Sequence, residues 1–119
     1  MRAGQDAARA LAAGDHTYLP EIDPWKYEAD PVDPALVAQD WLTIRQTMWN
    51  YVGLVRSRKR LTRAHEILRE LHIEIGNFYA TATLSDGLIG LRNGVQTALV
   101  VTLAAMEARE SRGCHYRID

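Results

Sequence analysis

Apolar residues recur at helical spacing in three long stretches of this chain, and no stretch alternates as a half-buried strand would. Val37, Trp41, Ile44, Met48 and Val52 fall four, three, four and four residues apart, on one helical face. Asp33-Pro34 opens that helix with a capping carboxylate and a proline suited to the first turn, and Gly53 closes it. After Ser57, Leu61, Ala64, Leu68, Leu71, Ile75 and Phe78 alternate spacings of three and four, the seam of helices packed at about +20°. Ser85-Asp86 starts a third helix with Leu88, Leu91, Val95, Leu99, Leu103 and Met106 on one stripe. Val100 and Val101 widen the stripe, which predicts that this helix is the most buried. Arg112-Gly113 supplies the cation and glycine that a helix end favours. The predicted helices run over about 34–53, 58–80 and 86–112. Gly90 and Gly94, each costing about 1 kcal/mol against alanine in a helix, predict close approach of another backbone.

The flanks read differently. Gln5 to Ala13 favours a short helix that Gly14 stops. From Asp15 to Pro34, prolines 20, 24, 31 and 34 interleave with acids, which makes a strap rather than a regular element. Leu19, Ile22, Trp25 and Tyr27 predict that this strap lies along the helices. The expected fold is all-α: a three-helix antiparallel bundle, spectrin-repeat-like, with a Pro-rich strap in residues 1–33 and an extended tail in 114–119.

Composition narrows the function classes. A length of 119 residues fits one domain that buries roughly two-thirds of its unfolded surface. With 47% hydrophobic and 24% charged residues the chain reads as soluble and globular, and a net charge of −1 gives no global pull toward nucleic acid or an anionic membrane. The single Cys114 excludes an intrachain disulfide and fits a reducing cytoplasm. No signal core opens the sequence, and the apolar stretch from Ala98 to Met106 is too short to span a bilayer.

Candidate chemistry is sparse. His65 and His72 stand seven apart, not the four that puts two imidazoles on one ion, so no metal site is expected. Arg56, Arg58, Lys59, Arg60 and Arg63 open the second helix against its dipole, so an acidic partner should compensate them. The acidic strap, the aspartates of the first helix or a neighbouring domain are the candidates; nucleic acid is disfavoured because no aromatic interleaves with the run. Adjacent residues of an extended segment point apart, so His115 does not activate Cys114, which reads as a free, partly buried thiol. The tryptophans read as packing residues of the core or of an interdomain contact. In the tail, His115, Arg117 and Asp119 alternate with Tyr116 and Ile118, forming a charged stripe that predicts docking.

That tail, Glu110-Ser111-Arg112-Gly113-Cys114-His115-Tyr116-Arg117-Ile118-Asp119, together with Met48-Trp49-Asn50-Tyr51-Val52-Gly53-Leu54-Val55-Arg56 and Leu91-Arg92-Asn93, resembles the C-terminal helical domain of L-aspartate oxidases. These belong to the succinate dehydrogenase/fumarate reductase flavoprotein family. The resemblance covers Trp41 to Asp119; the tail pattern is shared by the wider family, and the Trp49-to-Gly53 segment points to the aspartate oxidase branch. It implies a cytoplasmic parent that moves a hydride from L-aspartate to FAD, giving iminoaspartate for quinolinate synthase on the route to NAD. It implies that this segment braces the FAD-binding and capping domains and is inactive alone. No catalytic or flavin-binding residue transfers to this chain, which has no Gly-x-Gly-x-x-Gly turn. The residues expected to dock are Glu110, Ser111, Arg112, His115, Arg117, Asp119, Arg56 and Arg60. Two alternatives stand beside it: a freestanding helical interaction module, and the helical domain of a succinate dehydrogenase or fumarate reductase.

Overall fold

A computed structural model of the chain describes residues 2–14, 21 and 31–119. It is mostly helical, with a small two-stranded sheet. The order is α1 (Arg2–Ala12), α2 (Pro34–Tyr51), β1 (Val55–Arg56), α3 (Arg58–Thr81), α4 (Asp86–Glu107) and β2 (Tyr116–Arg117). Side-chain caps start the long helices where the sequence placed them. Asp33 accepts the Ala35 amide at 2.8 Å, and the Ser57 and Ser85 hydroxyls accept from Arg60 and Leu88, each at 3.3 Å. The expected path of the strap and the packing of Trp25 lie outside the described residues.

The predicted seams of α2 and α3 are the ones that pack. Ile44, Leu68, Leu71, Ile75, Leu91, Val95 and Ala98 form one buried cluster, edged by Val37, Trp41, Met48 and Phe78. Each large aliphatic side chain buried there contributes about 1.5–3 kcal/mol. A second cluster joins Val52, Leu61, Ala64 and Ala105. It draws the end of α2, the start of α3 and the end of α4 to one place, where the tail begins.

Helix α4 departs from its predicted form in two ways. It ends at Glu107, not 112; the last helical bond runs from the Ala108 amide to the Ala104 carbonyl at 3.0 Å. Arg112-Gly113 is therefore no helix end. The pair sits in a tight turn where Gly113 takes a φ of 55° and Arg112 and His115 exchange backbone bonds of 2.9 and 3.0 Å. Only glycine adopts that φ without steric cost. The buried stripe also shifts after Val95 onto Ala98, Thr102 and Ala105, leaving Val100, Val101 and Leu103 exposed. Small residues face the core there, and Thr102 spends its hydroxyl on the Ala98 carbonyl at 2.8 Å. By length and composition α4 would span a bilayer. In its first half Leu88, Leu91 and Val95 are fully buried, as in a core helix, while Ile89 faces outward.

The glycines of α4 admit a side chain, not a backbone. A Cβ at Gly94 would stand 2.5 Å from Trp41 Cη2, and one at Gly90 3.9 Å from Cζ2, so the indole lies against both. Helix α2 ends at Tyr51 with Val52 as cap, two residues before the predicted stop. Gly53 then passes close under the helix end, where a Cβ would meet the Trp49 carbonyl at 3.0 Å.

Half-buried Asp40 has its carboxyl pushed above its ordinary value, by burial first and by Glu74 second. The raised value means that its charged form opposes folding, so stability falls as pH rises from the ordinary carboxylate range through the raised value. Asp40→Asn should remove that fall in a urea-unfolding series against pH. Gly94→Ala should destabilise the chain by about 1–2 kcal/mol because the indole must lift, despite the better helix former. In a Trp41→Ala background the same change should instead stabilise by up to about 1 kcal/mol. Gly76→Ala, with nothing within 4 Å of the added Cβ, should stabilise by a similar amount in either background.

Candidate docking site

Two short strands hold the tail against the helices. β1 and β2 pair in parallel, with Val55 opposite Tyr116 and Arg56 opposite Arg117. The Tyr116 amide donates to the Leu54 carbonyl at 3.1 Å and the Ile118 amide to the Arg56 carbonyl at 3.0 Å. A parallel pair needs a long crossover, and α3 with α4 provides it. Strands of two residues cannot be told by pattern from an extended tail, which is why no strand pair was predicted.

Arg56 closes the end of α2. Its Nε donates to the Gly53 carbonyl at 2.7 Å and its Nη2 to the Val52 carbonyl at 3.2 Å. Nη1 reaches across to His115 Nδ1 at 2.7 Å. A guanidinium only donates and a carbonyl only accepts, so the histidine roles are fixed. Nδ1 accepts from Arg56, and Nε2–H donates to the Ala108 carbonyl at 2.8 Å, just past α4. One imidazole therefore links the ends of two helices.

Arg117 is more deeply placed, its side chain only 6% exposed. Its Nη1 donates to the Ala105 carbonyl of the last turn of α4 at 3.2 Å, and its Nε to Asp119 Oδ1 at 3.0 Å. Its own amide donates to Ser111 Oγ at 2.9 Å. The other oxygen of Asp119 accepts the backbone N–H of Arg58, the first residue of α3. That backbone hydrogen bond, followed by the Arg117 guanidinium, holds the Asp119 carboxyl below its ordinary value.

The predicted alternation is present: His115 and Arg117 share the half-buried side, while Tyr116 and Ile118 are exposed. The charged side faces this chain's own helices. Of the candidate docking residues, Arg56, Ser111, His115, Arg117 and Asp119 are brought together there. Glu110 and Arg112 form a separate exposed pair at 2.7 Å, and Arg60 donates to the Val55 carbonyl at 3.3 Å. Among the described residues, the acid that meets the start of the basic helix is Asp119; most acids of the strap lie outside them. Sequence reasoning had sought that acid in the strap, in the first helix or in another domain.

One assignment is corrected: Cys114 is exposed rather than partly buried. Of the two readings given to the tryptophans, the core does not hold for Trp49, which is 84% exposed, beside Leu54 at 65% and Val55 at 46%. The signal was available, since position 49 is one residue off the Trp41–Ile44–Met48–Val52 stripe and so turned about 100° from it. Trp49, Val52, Leu54, Val55, Arg56 and Cys114 line part of a groove of about 680 Å³. Tyr51, Arg58, Lys59, Arg63 and Ile118 line part of another of about 890 Å³, and Arg60 lines both. Neither groove is lined by a glycine-rich strand-to-helix turn. The strands are two residues long, and Gly53 and Gly113 serve a helix end and a turn, not a strand-to-helix phosphate loop.

The sequence matches the fumarate reductase flavoprotein C-terminal profile over residues 41–119. It is 41% identical over 103 residues to an L-aspartate oxidase of Acinetobacter baylyi, covering 85% of this chain and 19% of that one. An L-aspartate oxidase of Yersinia pestis is 43% identical over 103 residues, covering 86% and 19%. One from Halobacterium salinarum is 36% identical over 120 residues, covering all of this chain and 23% of its own length. The chain spans about a fifth of the length of these curated relatives.

Arg117→Ala should cost about 1–3 kcal/mol, because it removes charge-assisted bonds and strands the Ala105 carbonyl. It should also speed amide exchange at Tyr116 and Ile118. Because the Asp119 carboxyl is held low, its contribution is present above the ordinary carboxylate range and lost as pH falls through the lowered value. Exchange of the Arg58 amide should therefore accelerate in acid, once corrected for intrinsic rate, and Asp119→Asn should abolish that acceleration.

Proposed function

Because the chain belongs to the fumarate reductase flavoprotein C-terminal family, we propose that it is the C-terminal helical domain of an L-aspartate oxidase, bracing FAD-binding and capping domains carried elsewhere in a longer cytoplasmic parent. The observation that carries this reading is the pairing of coverage values: nearly all of this chain aligns with about a fifth of each oxidase. In this reading α2, α3 and α4 form a three-helix antiparallel bundle, spectrin-repeat-like, with residues 1–33 as short helix and strap and 114–119 as docking tail.

The parent's reaction takes L-aspartate to iminoaspartate. The Cα–H leaves as hydride, the amine nitrogen gives up a proton, and a C=N bond forms. Bound FAD supplies the hydride acceptor. Quinolinate synthase consumes the product. The residues of this chain touch none of those atoms; their work is mechanical. Arg56, His115, Arg117 and Asp119 fix the tail so that it presents one defined surface, and Glu110, Arg112 and Arg60 rim it. Interfaces of this kind carry polar groups at the edge and exclude water at the centre.

Mass spectrometry of the endogenous polypeptide tests the reading first, and it should find these residues within a flavoprotein several times longer. That parent, purified with its flavin, should oxidise L-aspartate and release hydrogen peroxide in air. A polypeptide no longer than this chain, or a parent that turns over succinate and not aspartate, would overturn it. Arg117→Ala in the intact parent should lower its melting temperature while leaving KM for aspartate unchanged.

A further inference from the structure

The tail spends its charged side chains inward, and what it turns outward is apolar. Tyr116 and Ile118 are 57% and 56% exposed, and Val55 lies beside Tyr116 in the strand register. Leu54 and Trp49 extend the same surface along the groove that also contains Cys114. Isolated exposed apolar residues are ordinary on protein surfaces, but a run of five that includes a nearly bare indole marks a contact.

From this we propose that the Trp49–Leu54–Val55–Tyr116–Ile118 face, not the charged stripe, is the surface covered by the flavin-carrying body of the same polypeptide. The inference rests on the reading of the chain as one domain of a longer flavoprotein. Four arguments select the occupant and the face. About four-fifths of each relative's length lies outside the matched region, so a large body of the same chain is available to cover it. The face is concave: a second groove of about 760 Å³, lined by Arg45, Met48, Trp49 and Asn50 among others, adjoins the first across Trp49. A competing apolar face, Val100 and Val101 on α4, lines a smaller groove of about 370 Å³ among Asn93, Gln96 and Thr97. Finally, the favoured face is rigid before it binds. Arg56 ties the backbone at Val52 and Gly53 to His115, so the elements that present Trp49 and Tyr116 are cross-linked, and little ordering cost remains.

Tryptophan in a desolvated centre is a common energetic anchor of an interface. Its burial is directly readable in the intact flavin-loaded parent by hydroxyl-radical footprinting. Trp41, half-buried in the core, is the internal reference. Trp49 should be modified more slowly than Trp41, reversing the order that their exposure in this chain dictates. Two parallel variants of the parent, Trp49→Asp and Val101→Asp, replace side chains that are exposed here and leave the core alone. Trp49→Asp should raise the rate of proteolytic cleavage between this domain and the rest by roughly tenfold or more, and Val101→Asp by less than about twofold. Rapid modification of Trp49 in a long, flavin-loaded, aspartate-oxidising parent would overturn the assigned face and leave the domain reading intact. So would sensitivity confined to Val101→Asp. A polypeptide without the flavin body would overturn both.

Discussion

Three helix ends meet at one corner of this fold, and the polar backbone groups they leave open have to be satisfied there. A helix ends with unpaired carbonyls and begins with unpaired amides, and near a dry core each such group is costly. Arg56 and the tail together answer all three ends. Arg56 takes the carbonyls at the end of α2, His115 and Arg117 take those at the end of α4, and Asp119 takes the first amide of α3. The charges match the helix dipoles at each place, cations at C-termini and an anion at an N-terminus. The β1–β2 pair sets the register that lets four side chains reach their targets together. Remove the tail and the second core cluster, around Val52, Leu61, Ala64 and Ala105, faces a ring of open polar groups.

The same arrangement divides the labour between recognition and support. A charged stripe in sequence invites the idea that charges meet the partner. Here the charges are consumed in making a stiff platform, and apolar side chains on the opposite side of the same strand remain for contact. Alternation along a strand makes this division natural: one face satisfies helix ends, the other is free. A two-residue strand pair with no such anchoring would be marginal, and its outward side chains would have no fixed position to offer.

Much of this was legible in the sequence. The cap residues Asp33, Ser57 and Ser85 and the seam of α3 read directly, because capping and three-four spacing are local signals. Val100, Val101 and the end of α4 misled because hydrophobicity alone does not say which side of a helix finds a partner. Packing there favoured Ala98 and Ala105, which are small. The glycines of α4 signalled close approach correctly, but the approaching group is the Trp41 indole, and its identity depends on tertiary register. The alternation of the tail was visible, whereas the direction of its charged face was not. Contacts such as Arg56 with His115 join residues 59 positions apart, and no local pattern encodes such a pairing.

That separation carries a consequence for biogenesis. Arg58 receives its capping carboxylate from a residue 61 positions later, and Arg56 waits 59 positions for its imidazole. On a ribosome, which extends the chain from its amino end, α2 and α3 leave the exit tunnel with these ends still open to water. Closing so wide a loop is entropically expensive and comes late. The parallel pair is thus a proofreading bolt: it slides home only after α4 has emerged and seated itself, so a nascent chain stalled before position 116 would expose its unfinished corner to chaperones.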